Sequence, residues 1–338
     1  MGLSLVTVCM NRREHLLATA QRVAAWPHHG EHLIVDWSST PPLSRADLPA
    51  DPRLRLVRVE GETRWNLCRA YNFALARAQG DQVLKLDADA WPNAAFDPTD
   101  PGLRLPGRGD GGERGEGRLC AFGSGPDGRK GQFLLDHDLF AAVGGFNELL
   151  VGYGFDDKDL IARLANLSGA RARPIPEAWI GVIAHSDAER AEQGVGRRGL
   201  AACQGLAAMR ATRLANRLVA AHCPWGAHAP RSRYHEEGPG LWRLDAGSLP
   251  RPPAAVAAEL EHVRRMTFWG HFLAIPEVFL EVLPFSLFPP PRGGRWDVRW
   301  WHRLWWHTGR RLLALPVGLL VGARHTLAAG GRPAPSRR

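Results

Sequence analysis

Residues 3–36 read LSLVTVCMNRREHLLATAQRVAAWPHHGEHLIVD, and this stretch decides the fold. Residues 3–9 and 32–36 are short apolar runs of strand length, and EHLLATAQRVAAW between them has helical spacing. Strand, helix, strand is the repeating unit of a parallel sheet, so the opening is α/β. A third strand is expected at 54–59 (LRLVRV), a helix at about 64–79 (RWNLCRAYNFALARAQ) and a fourth strand at 82–87 (QVLKLD). That fourth strand runs into Asp87 and Asp89, which therefore stand at its C-terminal end, where open α/β sheets bind ligands.

The chain has 338 residues, enough for one large domain or two smaller ones, and its 45% hydrophobic content suffices for a sizeable core. Lysine plus arginine exceeds aspartate plus glutamate by 43 to 34, and nearly all of the basic side chains are arginine. Planar cationic donors suit phosphate, carboxylate and anionic lipid headgroups, so anionic partners are expected. Cys9, Cys68, Cys120, Cys203 and Cys223 form no CxxC pair and no small secreted framework, and they read as reduced thiols. The N-terminus lacks the long apolar stretch and cleavage site of a signal peptide, which points to a cytoplasmic protein. The apolar run LLALPVGLLVGA at 312–323 is shorter than the roughly 20 residues of a membrane-spanning helix.

Residues 97–117 are so rich in glycine, proline and charge that they read as a long loop without chemistry. QFLLDHDLFAAVGGFNE reads as a strand and a short helix ending at Gly144 and Gly145, and DDKDLIARLANLSG as a helix with acids in its first turn. Beyond about residue 190 the composition changes. Residues 197–220 read as a basic helix, 224–253 as a proline-, glycine- and histidine-rich linker, and the last 70 residues interleave tryptophan with arginine. This divides the chain into residues 1–195 and a mostly helical region at 196–338.

Three segments carry chemistry. Asp87 and Asp89 can hold a hard divalent cation that neutralises a nucleotide diphosphate, although acidic pairs also end strands as plain solvated carboxylates. In GGFNELLVGYGFDDKDL, Asp156, Asp157 and Asp159 open a helix, where the macrodipole alone favours acids. A carboxylate presented by a glycine-rich loop can also act as a general base, and Asp157 is the candidate. His185 in WIGVIAHSD follows an apolar run; a lone histidine is usually structural, but with two carboxylates it completes a site suited to manganese or magnesium.

These blocks resemble GT-A glycosyltransferases of the family 2-like branch whose C-terminal half is similar to β-1,4-galactosyltransferases. MNRREHL is similar to the family's nucleotide-binding turn, and RAYNFALARAQGDQVLKLDADAWP to its helix leading into the metal-binding DxD. GGFNELLVGYGFDDKDLIARL is similar to its acceptor and base loop, and VIAHSDAER to the segment that supplies the last metal ligand. The resemblance implies a Rossmann-like mixed sheet flanked by helices, with a helical C-terminal region, and an inverting transfer of a sugar from a nucleotide-sugar donor, UDP-linked by preference. It implies that Thr7, Asn11, Arg12, Asp36, Asn72, Asp87 and Asp156 meet the donor. It further implies that Asp87, Asp89 and His185 hold Mn2+ or Mg2+, that Asp157 is the base, and that Tyr153 and Lys158 face the acceptor. Lys158 stands where the galactosyltransferases carry another acid, Phe155 where they carry a glycine, and Tyr153 where they carry a tryptophan, so the acceptor does not carry over.

The expected partners are a nucleotide-sugar and a glycan or lipid-linked acceptor. The C-terminal region reads either as a surface for anionic membrane at the inner face of the cell membrane or as a helical cover for the catalytic domain. A basic nucleic-acid-binding protein is the rival class, but no recognised nucleic-acid motif accompanies the charge and no specific nucleic-acid partner is expected. A sugar-phosphate nucleotidyltransferase is disfavoured, because CMNRREH replaces the glycine-rich turn it would need.

Overall fold

A computed structural model describes residues 2–106, 117–126, 128–184, 212–213, 215–217, 219–254 and 256–257, with single positions between 312 and 323. The chain parts into two compact units. The first comprises Met1–Glu148, Asp156–Ala184 and Trp225–Pro250; the described part of the second is Leu149–Phe155, residues between 212 and 224, 251–254, 256–257 and the single positions between 312 and 323. A division at residue 195 is thus too simple, because the chain returns to the first unit at Trp225.

Strands β1 (Leu3–Cys9), β2 (Glu31–Trp37), β3 (Leu54–Glu60) and β4 (Gln82–Asp87) are mutually parallel, with β1 between β2 and β4. Helices α1 (Arg13–Ala25) and α2 (Leu67–Leu75) are the first two crossovers of that sheet to be expected from the sequence. The β1 and β2 runs are buried throughout, as apolar central strands of a parallel sheet must be. Short β5 (Ala90–Pro92) leaves the sheet, and β6 (Cys120–Gly123) and β7 (Phe133–Asp136) return to it, β7 antiparallel to β4. Helix α3 (His137–Ala142) and helix α4 (Asp156–Ser168) follow, then β8 (Arg173–Ile175) beside β6 and β9 (Ile180–Val182) beside β5.

The segment expected to be a linker is instead part of the sheet. Strands β10 (Arg233–Gly238) and β11 (Leu241–Asp245) form a hairpin that extends it past β3, giving the order β10-β11-β3-β2-β1-β4-β7-β6-β8 among the described residues. Polar β10 (RYHEEG) has no strand-like alternation, yet Tyr234 and Trp242 pack against Phe73, and Arg77 stacks on Phe73 and Trp242. The loop at 97–117 also carries structure, a 3-10 turn at Pro101–Leu103 and a bridge from Arg104 to Leu119; residues 107–116 lie outside the described residues. Among the described residues no helix is long and apolar enough to cross a membrane, and Cys9, Cys68, Cys120 and Cys223 are buried free thiols. Cys203, His185, most of the 197–220 helix and the tryptophan-rich tail lie outside the described residues.

Two residues expected at the donor have their polar atoms engaged within the protein. Asn72 is buried in α2; its amide donates to the Phe146 carbonyl at 2.8 Å and to Glu148 at 2.9 Å, and its oxygen accepts from the Phe146 N–H at 2.7 Å. A side chain on Gly145, whose φ is +65°, would strike that oxygen, so the glycine is required for the staple. Thr7 is buried inside β1, paired with Ile34 and Leu86, and its hydroxyl lies 3.2 Å from His32 Nε2.

His32 and His29 make a buried imidazole pair, ring centroids 6.3 Å apart, beside Asp51 and Arg53. Burial, reinforced by Arg53, lowers the His29 pKa to about 4, and burial with His29 lowers that of His32 to about 3. Because the folded values lie below the unfolded value of 6.5, this pair stabilises the fold above that pH and the contribution is lost as pH falls toward 4. The melting temperature should therefore drop between pH 6.5 and 4, and His32→Asn should flatten that slope; an identical slope in both proteins would refute the assignment.

Candidate active site

The sheet register brings the candidate residues together. Cys9 pairs with Asp36 and Val8 with Asp87, so the C-terminal ends of β1, β2 and β4 form one edge. Asn11, with φ +58°, and Arg12, the residue capping α1, occupy the turn after β1. The Asn11 side-chain oxygen accepts from Thr40 N at 2.8 Å, and its backbone N–H donates to Ser39 Oγ at 3.0 Å, tying the turn after β1 to the turn after β2. Arg12 reaches 3.5 Å from Asp89, placing a guanidinium beside the second carboxylate of the pair.

Asp36 is fully buried, and both of its oxygens are engaged by the protein. Its oxygens accept from Ser39 N and Leu43 N, both at 3.0 Å, and from Arg58 at 2.5 Å. These bonds shape the turn after β2.

Asp87 is half-buried and held on every side. Lys85 Nζ donates to its Oδ1 at 2.8 Å, Tyr71 OH to the same oxygen at 3.1 Å, and Gln132 Nε2 to its Oδ2 at 2.7 Å. Gln132 also accepts from the Asp87 backbone N–H at 2.8 Å. Burial raises the pKa of Asp87, but Lys85, Gln132 and Tyr71 outweigh it and hold the group below the usual carboxylate range.

Asp156 and Asp157 open α4, with Asp159 and exposed Lys158 behind them. Asp159 is buried and paired with Arg163 at 2.7 Å, and Arg163 also donates to the Val143 and Gly145 carbonyls. Burial raises the Asp157 pKa well above the usual range, and neighbouring Asp156, itself raised by burial, adds to the effect. Asp157 Oδ1 is buried without a hydrogen-bond partner, whereas its Oδ2 faces the sheet edge. A β-carbon on Gly131 would sit 3.4 Å from Asp157 Oδ2, 3.5 Å from Asp87 Oδ2 and 3.6 Å from Lys85 Nζ. Three charged groups from β4 and α4 therefore surround one small point that a missing side chain leaves free.

Tyr153 is exposed and belongs to the second unit, where its N–H donates to Thr212 Oγ1 at 2.8 Å and Asn216 holds the adjoining Val151 and Gly154. Phe155, at the glycine position of the resemblance, keeps the left-handed backbone a glycine would take, with φ +79°. Lys85, Gln132, Tyr71 and Gly131 were not singled out from the sequence. A lysine inside the apolar run VLKLD is the one signal that could have found its partners, since lysine is almost never fully buried unless paired.

Residues 128–182 match the family model described as the N-terminal domain of galactosyltransferase. No curated protein matches the chain. Among solved structures, a mannosyltransferase from Pyrobaculum calidifontis in complex with GDP-Man and Mn2+ is similar at 17% identity, over 94% of this chain and 86% of that one, with a TM-score of 0.43. The catalytic domain of Drosophila β1,4-galactosyltransferase 7 in complex with xylobiose is 16% identical over 56% of this chain and 72% of that one, with a TM-score of 0.37. Glucosyl-3-phosphoglycerate synthase from Mycobacterium tuberculosis, in complex with Mn2+, UDP and glucosyl-3-phosphoglycerate, is 14% identical over 69% and 84%, with a TM-score of 0.43. The matched family and these structures are glycosyltransferases. The segment that supplies Gly131, Gln132, Asp156 and Asp157 lies within the residues matched by the galactosyltransferase model, and it adjoins a sheet of parallel and antiparallel strands.

Proposed function

We propose that this chain is an inverting, metal-dependent glycosyltransferase that moves a sugar from a nucleotide-diphosphate sugar, UDP-linked by preference, to a hydroxyl of a saccharide or lipid-linked acceptor. The convergence of Asp157, Asp87 and Lys85 around the open side of Gly131 is the observation that carries this reading. It places a carboxylate of raised pKa from the galactosyltransferase-like segment beside a carboxylate from the DxD strand.

Asp87 and Asp89 are hard oxygen donors one residue apart at a strand end, which fits Mn2+ or Mg2+, although no group of three ligands is assembled among the described residues. These two, with His185 as the third ligand by resemblance, would hold the cation, which when bound neutralises the charge of the departing diphosphate. Arg12 adds a guanidinium at the same edge, suited to phosphate oxygens. Asp157, ionised, accepts the proton of the acceptor hydroxyl as that oxygen attacks the anomeric carbon. The sugar gains positive charge in the transition state, and Asp87, Asp156 and Asp157 stabilise it electrostatically. Lys158 and Tyr153 are the side chains proposed for the acceptor.

Asp157→Asn should keep donor binding and lower turnover roughly a hundredfold to ten-thousandfold. Retained turnover in a sugar-transfer assay would remove Asp157 as the base.

Gly131→Ala should fold normally, because its methyl would meet neighbours at 3.4 Å or more, yet lower transfer about a hundredfold by filling the space between the reacting groups. Unchanged kinetics would show that the reaction does not occur at this point.

Calorimetry with UDP should show binding that requires Mn2+, disappears with EDTA and fails in Asp89→Ala. Metal-independent binding of equal strength in the variant would overturn the donor site.

A further inference from the structure

We infer that Lys85 is a positioning residue whose fixed charge weakens the site for a free divalent cation, so that the cation enters with the nucleotide diphosphate. This rests on the reading of Asp87 and Asp89 as the metal pair. Lys85 is completely buried in the middle of β4. Its ammonium donates to Asp87 Oδ1 at 2.8 Å and to the Gly131 carbonyl at 2.6 Å, and it lies 4.5 Å from the centre of the Tyr71 ring.

A divalent cation bound by Asp87 would share that carboxylate with a cation already in contact with it. Like charges that close repel strongly where solvent screening is weak. Lys85 cannot withdraw, because it has no route to water and a bare ammonium without its carboxylate would be stranded. A diphosphate brings further negative charge to the cation and offsets that repulsion. Gln132 and Tyr71 keep Asp87 oriented meanwhile, so the carboxylate is preorganised before either ligand binds.

The test is Mn2+ binding to the full chain, read from the loss of the free-ion signal in electron paramagnetic resonance, with and without UDP. Wild-type protein should bind Mn2+ at least about tenfold more tightly with UDP than without it. Lys85→Met should tighten Mn2+ binding without UDP by about tenfold or more and so shrink the difference. Tyr71→Phe, which removes a hydrogen bond from Asp87 but no charge, should shift Mn2+ affinity less than about threefold. Lys85→Met with unchanged or weaker Mn2+ binding overturns the inference, as does Tyr71→Phe matching its effect. Should Lys85→Met fail to fold, wild-type protein that binds Mn2+ equally well with and without UDP refutes it. Wild-type protein that takes up no Mn2+ even with UDP removes the metal site itself, whereas uptake with UDP that Lys85→Met does not alter removes only the role of Lys85.

Discussion

An ammonium group cannot be buried in a sheet without anions beside it, and the site of this protein is organised around that constraint. Lys85 lies in the middle of β4 with no exposed surface, so its partners must come from the elements packed next to it. One is Asp87, two residues on and on the same face of the strand. Another is the Gly131 carbonyl, just ahead of β7, the antiparallel neighbour of β4. Satisfying one lysine therefore fixes the direction of Asp87, draws Gly131 and Gln132 over it, and leaves an opening toward Asp157.

The parallel order of β3, β2, β1 and β4 accounts for the other half of the arrangement. Strands that run the same way end at the same edge, so the turns carrying Asn11, Arg12, Asp36 and Asp89 are neighbours without any long-range design in the loops. The segment after β7 must then be fastened to that edge. Asn72 does so by binding Phe146 and Glu148, and Glu148 in turn accepts from the Ser232 hydroxyl at 2.6 Å and its N–H at 2.8 Å. A buried amide with three such bonds is costly to replace, because each lost partner leaves another polar group unsatisfied. Asn72 thus serves the site from behind by holding the base of the loop that leads to Asp157.

The sequence made the first four strands, the carboxylate pair and the helix opening at Asp156 legible, because apolar period and strand-end acids are local signals. The hairpin of β10 and β11 was not, since RYHEEG has no apolar alternation and its aromatic partners Phe73 and Trp37 lie far upstream. Gln132 was equally silent: its contact with Asp87 joins positions 45 apart, and only the β4–β7 register brings them together. Thr7, Asp36 and Asn72 show the opposite error. Each is a polar residue at a place where the resemblance puts a donor contact, yet each is buried with its polar atoms engaged by the protein.

The same burial acts in opposite directions on the two carboxylates that flank Gly131. Desolvation alone would raise both pKa values, and it does so for Asp157, whose Oδ1 has no donor and whose neighbour Asp156 adds to the effect. Asp87 escapes because Lys85, Gln132 and Tyr71 all donate to it. One carboxylate is thereby held as a permanent anion and the other is left with affinity for a proton. Environments that push two neighbouring acids apart in this way separate an electrostatic role from a proton-transfer role. The division needs no difference in residue type, only a buried cation placed next to one aspartate and withheld from hydrogen bonding to the other.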